Sequence, residues 1–321
     1  MSSNHLLDPD LRPLFEQLPP FRFDDAMLSD PSLLAPMRRM VGEMLGANRP
    51  PPRADVQRSA RLIPGPDGSK LRVEIVRPLA SGSIRPAILH IHGGGFVMGA
   101  PGDNAATHEQ YAGELGAVVV SVDYRLAPET PHPGPVEDCY AALSWLYEHA
   151  GELGVDRARI AVSGESAGGG LAAALALVTR DRAEIPLVFQ HLVFPALDDR
   201  TASEAEPSPY VGEFAWTRDA NCFAWRALLG FAPGAGEVSP YAAPARAGDL
   251  SRLPPAFIAC GSLDLFAEEN MTYARRLVRA GVPTELHIYP GAPHGFMMVA
   301  DAPVTRAFTA ASMAALARAL A

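Results

Sequence analysis

The chain has 321 residues, 48% of them hydrophobic and 20% charged, with a formal net charge of -9. That balance fits an ordinary globule, one large domain or a core with a smaller cap, rather than a disordered chain. The acidic surplus argues against a nucleic-acid partner, and no apolar run reaches membrane-spanning length, so membrane insertion is not expected.

The first residues, Met1 to His5, are polar and carry no basic-then-apolar leader. Cys139, Cys222 and Cys260 lie far apart without a Cys-x-x-Cys pair, and Cys139 and Cys260 sit in apolar runs. Both read as buried thiols, which suits a reducing, cytoplasmic location.

Asp8-Pro9 and Asp30-Pro31 each resemble an N-cap followed by proline at the first helical position. The second opens an amphipathic helix with Met37, Met40, Val41, Met44 and Leu45 on one face, ended by Gly46. Such a stripe is ordinary core packing or the underside of a lid over an apolar pocket. Arg49-Pro50-Pro51-Pro52 then reads as a linker.

Two strands follow, Val56 to Ile63 and Leu71 to Arg77, joined by the turn Pro64-Gly65-Pro66-Asp67-Gly68. Further strands are predicted at Ala87 to Ile91, Val118 to Val122, Ile160 to Ser163, Leu187 to Phe194, Ala256 to Cys260 and Glu285 to Tyr289. Helices alternate with them at Ala105 to Leu115, Val136 to His149, Ala167 to Arg180, Glu268 to Ala280 and Val304 to Leu320. Continuously apolar strands belong to a parallel sheet covered on both faces, which gives a doubly wound α/β architecture. The alternation fails between Asp198 and Gly230, where Tyr210, Phe214, Trp216, Phe223, Trp225 and Phe231 cluster. We read residues 1–50 as a helical cap segment, and residues 51–321 as the core with a cap insertion at about 198–231.

Gly164-Glu165-Ser166-Ala167-Gly168 lies between an apolar strand and an Ala/Leu helix. A serine on such a sharp bend displays its Oγ at a helix start, and the glycines stand where a Cβ would come too close. An activated serine needs a base, and the base an orienter. Of the histidines after Ser166, His191 lies inside an apolar run and His287 inside a strand, while His294 occupies the Pro/Gly loop after the last strand. Strand carboxyl ends are the working edge of an open α/β sheet, so His294 is the predicted base. Asp264, just beyond the strand ending at Cys260, is the predicted orienter, with Glu268 the alternative. His92-Gly93-Gly94-Gly95-Phe96 follows another strand, and its backbone N–H groups, with that of Ala167, suit an oxyanion hole. His92 itself reads as a loop-shaping hydrogen-bonder. His108-Glu109 lacks a second histidine at zincin spacing, and no phosphate loop or dinucleotide fingerprint is present. No metal or cofactor is implied.

On these motifs the chain resembles the hormone-sensitive-lipase-like α/β-hydrolases, which include many bacterial carboxylesterases. The residues that carry the likeness are His92 to Phe96, Asp123 to Glu129, Gly164 to Gly169 and His294-Gly295-Phe296. The resemblance implies the triad Ser166, Asp264 and His294, oxyanion donors Gly94, Gly95 and Ala167, and a cap over an acyl pocket. Phe96, Met40, Met44, Tyr210, Phe214 and Trp216 are the expected pocket residues. Tyr124 to Glu129 is expected to be scaffold. By analogy, a homodimer would form along Thr284 to Tyr289. Glu165 stands where the family usually has Asp or Thr, and Leu265-Phe266 where it usually has Pro-Leu, which bears on substrate range.

The expected activity is hydrolysis of small esters with short to medium acyl chains. Amides, lactones or carbamates could use the same groups. A non-catalytic small-molecule receptor is the alternative from another class, and it would be expected to lack part of this set.

Overall fold

The computed structural model describes residues 2–47, 50–80, 84–203 and 208–321. Its strands are β1 (Val56–Pro64), β2 (Lys70–Pro78), β3 (Arg85–Ile91), β4 (Val118–Asp123), β5 (Val155–Glu165), β6 (Phe189–Val193), β7 (Ala256–Gly261) and β8 (Thr284–Tyr289). They form one sheet in the order β1-β2-β4-β3-β5-β6-β7-β8. β2 runs antiparallel to both β1 and β4, and every other pairing is parallel. Each predicted strand is present. β5 starts earlier than predicted because Asp156, Arg157 and Ala158 at its head are polar or exposed and break the apolar run.

The helices are α1 (Arg12–Phe15), α2 (Ala26–Ser29), α3 (Ala35–Ala47), α4 (Ala105–Leu115), α5 (Gly134–Glu148), α6 (Ala150–Leu153), α7 (Ala167–Arg182), α8 (Arg218–Leu229), α9 (Ala267–Arg279) and α10 (Pro303–Leu320). α5 and α7 pack together over one face of the sheet, and α4 and α10 pack together over the other. β3 and β4 are therefore buried on both sides, as their unbroken apolar sequences require. Each such valine or leucine withdrawn from water stabilises the fold by roughly 1.5–3 kcal/mol. β1, by contrast, is an exposed edge carrying Arg58 and Arg61, charges that discourage pairing with another chain.

At the N-terminus two boundaries differ from expectation. The helix predicted at Asp8-Pro9 begins only at Arg12, because the Asp8 carboxylate accepts from the N–H of Asp10 and holds a turn there. Asp30 does cap its successor, accepting from the N–H of Ser32, but Pro31–Leu34 is a 3-10 turn and α3 follows it. Of the predicted Arg49–Pro52 linker, Arg49 lies outside the described residues, and Pro50 to Pro52 are non-helical. The connection from β6 to β7 carries α8 and, among the described residues, no strand. It spans residues 194–255, more than the predicted 198–231, of which 204–207 lie outside the described residues.

The chain passes from β3 outward to β4 and returns on the other side of β3 as β5. Strand order reverses there, and a crevice opens at the carboxyl ends of β3 and β5. The motif-bearing loops all leave from that edge.

Candidate active site

β5 ends at Glu165 and α7 starts at Ala167, leaving Ser166 alone to make the bend at φ 55°, ψ −122°. Few L-residues adopt that conformation, and its strain is held by the surrounding contacts. The N–H of Ser166 donates to Val193 O at 2.9 Å, and its carbonyl accepts from Gly170 and Ala196. Gly168 is needed for close approach: a Cβ there would lie 2.1 Å from Ile91 O and 2.4 Å from His92 O. β3 and the elbow can meet only because nothing projects between them.

His294 stands in the loop after β8, and its Nε2 lies 3.0 Å from Ser166 Oγ. Its Nδ1 lies 2.8 Å from Asp264 Oδ2. Asp264 is fully buried just past β7, and its other oxygen accepts from the N–H of Phe266. Both Asp264 oxygens are thus occupied, and the carboxylate cannot swing away from the imidazole. Phe194 and Phe266 meet the His294 ring edge-on, at 4.6 and 5.3 Å between centroids. Glu268, the alternative orienter, is exposed in the first turn of α9, where it complements the helix dipole. His191 is buried in β6 between Ser163 and Ser312, and His287 pairs with Glu285 on β8. Neither reaches the serine's hydrogen-bond partners.

The loop after β3 turns back through Gly94 at φ 109° and Gly95 at φ 60°. A Cβ on Gly94 would sit 2.2 Å from Met98 O. Among the described residues, no protein acceptor takes the N–H of Gly94, Gly95 or Ala167. Gly94 borders the same cavity as Ser166 and Ala167 follows Ser166 in the chain, so these donors suit an oxyanion hole. The loop is braced from below. His92 donates from Nδ1 to Gly93 O and stacks on Tyr124 at 4.2 Å, while the Tyr124 hydroxyl donates to His92 O. Burial pushes the His92 ring down to about 4, outweighing the bond to Gly93, so it stays neutral at ordinary pH. The motif from Tyr124 onward is likewise bonded into the scaffold. Arg125 forks onto buried Asp138, and Arg38 of α3 forks onto Glu129 while donating to Val97 O.

A cavity of about 390 Å³ opens beside Ser166, running under α3 and between α4 and α10. Its apolar wall is made by Val41, Leu45, Phe194, Met297, Phe308 and Met313. Several residues expected there are elsewhere. Met40 is 54% exposed and Tyr210 38% exposed, and neither borders the cavity. Met44 and Phe214 do not border it either. α3 turns Val41 and Leu45, one helical turn apart, toward the site, so the methionines beside them in sequence point away from it. Phe96 is buried behind the loop, 5.3 Å from Trp225. Trp216 does reach the site: its ring lies where a Gly95 Cβ would be, and 6.3 Å from the His294 ring.

Two features were not found from sequence. The polar lining from α4 and α10, Tyr111, Thr305, Thr309 and Ser312, reads as helix pattern with no motif to mark it. Glu165 Oε1 accepts from His90 Nε2 at 2.9 Å in the core, tying the end of β5 to β3. Among the described residues, no group of His, Cys, Asp or Glu could hold a metal ion, and no helix is long and apolar enough to cross a membrane.

Comparison with known proteins places this geometry among relatives. The alpha/beta hydrolase fold family matches the chain over residues 88–298. Esterase LipI of Mycobacterium tuberculosis is 41% identical over 220 residues, covering 66% of this chain and 66% of that protein. Carboxylesterase NlhH of the same organism is 38% identical, covering 73% of this chain and 74% of its own. Among solved structures, a bacterial heroin esterase superposes with a TM-score of 0.89 at 40% identity over 99% of both chains.

Proposed function

The chain belongs to the α/β-hydrolase-fold family, in its hormone-sensitive-lipase-like branch, and from that premise we propose how it works as a carboxylesterase. It is an ester hydrolase. Ser166 is the nucleophile, His294 the general base and then acid, and Asp264 the group that fixes the imidazole. The observation that carries this reading is the unbroken chain Ser166 Oγ–His294 Nε2 at 3.0 Å and His294 Nδ1–Asp264 Oδ2 at 2.8 Å.

Because Asp264 accepts from Nδ1, the lone pair of Nε2 faces the serine, and His294 takes the Oγ proton as Oγ attacks the ester carbonyl. The N–H groups of Gly94, Gly95 and Ala167 receive the charge that develops on the carbonyl oxygen. His294 then protonates the leaving alcohol, giving an acyl-enzyme. Water enters by the same route, its proton goes to His294, and the acid leaves as Ser166 recovers its proton.

A cavity of about 390 Å³ closed by apolar side chains supports short to medium acyl chains. The N-terminal segment and the 198–231 insertion act as the cap. β8 is a half-exposed sheet edge with Leu286 outermost, which supports a homodimer through that strand in a cytoplasmic enzyme. Hydrolysis of p-nitrophenyl esters from acetate to palmitate, run beside Ser166→Ala, tests the reading. A peak at short or medium chains that vanishes in the variant is expected. Equal rates in both proteins would remove Ser166 from the mechanism, and turnover of a matched anilide alone would move the assignment to an amidase.

A further inference from the structure

Glu165 precedes the nucleophile and does more than brace the elbow. It borders the cavity beside Ser166, yet the residue is only 4% exposed. One carboxylate oxygen accepts from His90 Nε2, and the other, Oε2, has no hydrogen-bond partner among the described residues. A buried anionic oxygen without a donor is costly, and that cost falls when a cation arrives.

The rest of the cavity suits one. Asp103, whose Oδ2 accepts from the N–H of Ala100, adds a second carboxylate to its wall, and among the described residues neither Lys nor Arg borders it. Phe194, Tyr111 and Phe308 also line this space. An acidic floor with aromatic walls attracts a quaternary or tertiary ammonium group through charge and through cation–π contact, and repels a carboxylate. The hydroxyls of Thr309 and Ser312 can solvate a smaller ammonium that carries its own N–H.

We infer that Glu165 is a specificity-determining residue, and that this enzyme favours esters bearing an ammonium group on the portion that enters this cavity. The inference rests on the ester-hydrolase reading and names its substrate class. His90 holds one oxygen of Glu165 and so positions the other. Which portion enters, acyl or alcohol, is decided by the experiment.

The experiment uses the full-length enzyme and three p-nitrophenyl esters of equal chain length. One ends in trimethylammonium, one in the neutral tert-butyl isostere and one in a carboxylate. A second pair places the same trimethylammonium and tert-butyl groups on the alcohol side of an acetate ester. In at least one arrangement the cationic ester is expected to exceed its isostere in kcat/KM by about tenfold, with the carboxylate ester below both. Glu165→Gln keeps an acceptor for His90 and removes the charge, so the cation-to-neutral ratio should fall toward one. Because the readout is a ratio, a general loss of turnover does not imitate the result. A wild-type ratio at or below one in both arrangements overturns the inference, whatever the variant does. So does a ratio that survives Glu165→Gln, or Glu165→Thr should the first variant fail to fold. Failure to hydrolyse the neutral esters would count against the esterase reading instead.

Discussion

The proposed reaction needs a single tautomer of His294, and Asp264, 2.8 Å from its Nδ1, is the group placed to set it. Asp264→Asn presents an amide whose N–H can face Nδ1 of His294, which would reverse the ring and turn an N–H toward the serine. A loss of about 10⁴ in kcat is expected, against about 10⁴ to 10⁶ for Ser166→Ala or His294→Ala, measured on one good ester. Near wild-type turnover in any of the three would take that residue out of the mechanism. His191 makes a different prediction, about stability. Burial, and next the neighbouring His90, push its ring down to about 3. The unfolded chain takes up a proton near pH 6.5 and the folded chain does not, so stability is full above about 6.5 and falls as pH drops toward about 3. The slope should be about 1.4 kcal/mol per pH unit from this one group, and His191→Gln should flatten the wild-type curve of unfolding free energy against pH by that amount. Parallel curves for the two proteins would mean that His191 is charged in the fold. At this scale the meeting of Ser166, His294 and Asp264 was legible in the sequence, because Gly-x-Ser-x-Gly and a histidine after the last strand are tied to one geometry. The bond from His90 to Glu165 was not, because it joins residues 75 apart in sequence and neither lies at a spacing that marks a partner.

At the scale of elements, α8 carries the part of the β6–β7 connection that reaches the site. Its ends carry ordinary cap signals: Thr217 accepts from the N–H of Ala220 as an N-cap, and Gly230 closes the helix in a left-handed conformation. Its buried face, Ala220, Phe223, Ala224, Ala227 and Leu228, has helical spacing, but alanines carry so little apolar weight that the aromatics read as a loose cluster. The cap fixes Trp216 immediately before the helix, where its Nε1 lies 3.2 Å from Asn221 Oδ1 and its ring lies against Gly95. Trp216 thereby walls the side of the oxyanion loop away from the main cavity. Trp216→Ala is expected to raise kcat/KM for bulky esters relative to acetate by about tenfold, since even one methylene of pocket space is worth about 1–3 kcal/mol. An unchanged ratio across an acyl series would show that the indole does not limit the substrate. The existence of β3 and of the inner half of β5, by contrast, was legible in the sequence, because the apolar runs Ala87 to Ile91 and Ile160 to Ser163 suit a sheet covered on both faces.

On the scale of the whole molecule, the division into a cap segment and a core has a testable consequence. Leu7, Leu11 and Phe15 are buried in the same apolar cluster as the sheet strands. The segment is tied at two further places: buried Ser3 bonds to Glu213 of the β6–β7 connection, and the N–H of Asp8 donates to Gly291 O in the loop that carries His294. Phe23 stacks on Phe223 at 4.5 Å and touches Trp216 at 6.2 Å, so the segment also buttresses α8 and its tryptophan. Each of the three buried side chains stabilises by roughly 1.5–3 kcal/mol, an appreciable share of the 5–15 kcal/mol typical of a folded domain. A segment bound that firmly should melt with the core. Calorimetry of the intact chain is therefore expected to show one cooperative transition, and deletion of residues 2–18 should lower Tm by about 10 °C or more without adding a second one. The same deletion removes the bond at Gly291, so kcat should fall together with stability because the His294 loop loses its tether. Two resolved transitions in the intact protein, with only the first missing after deletion, would show instead that the N-terminal segment folds as a unit of its own.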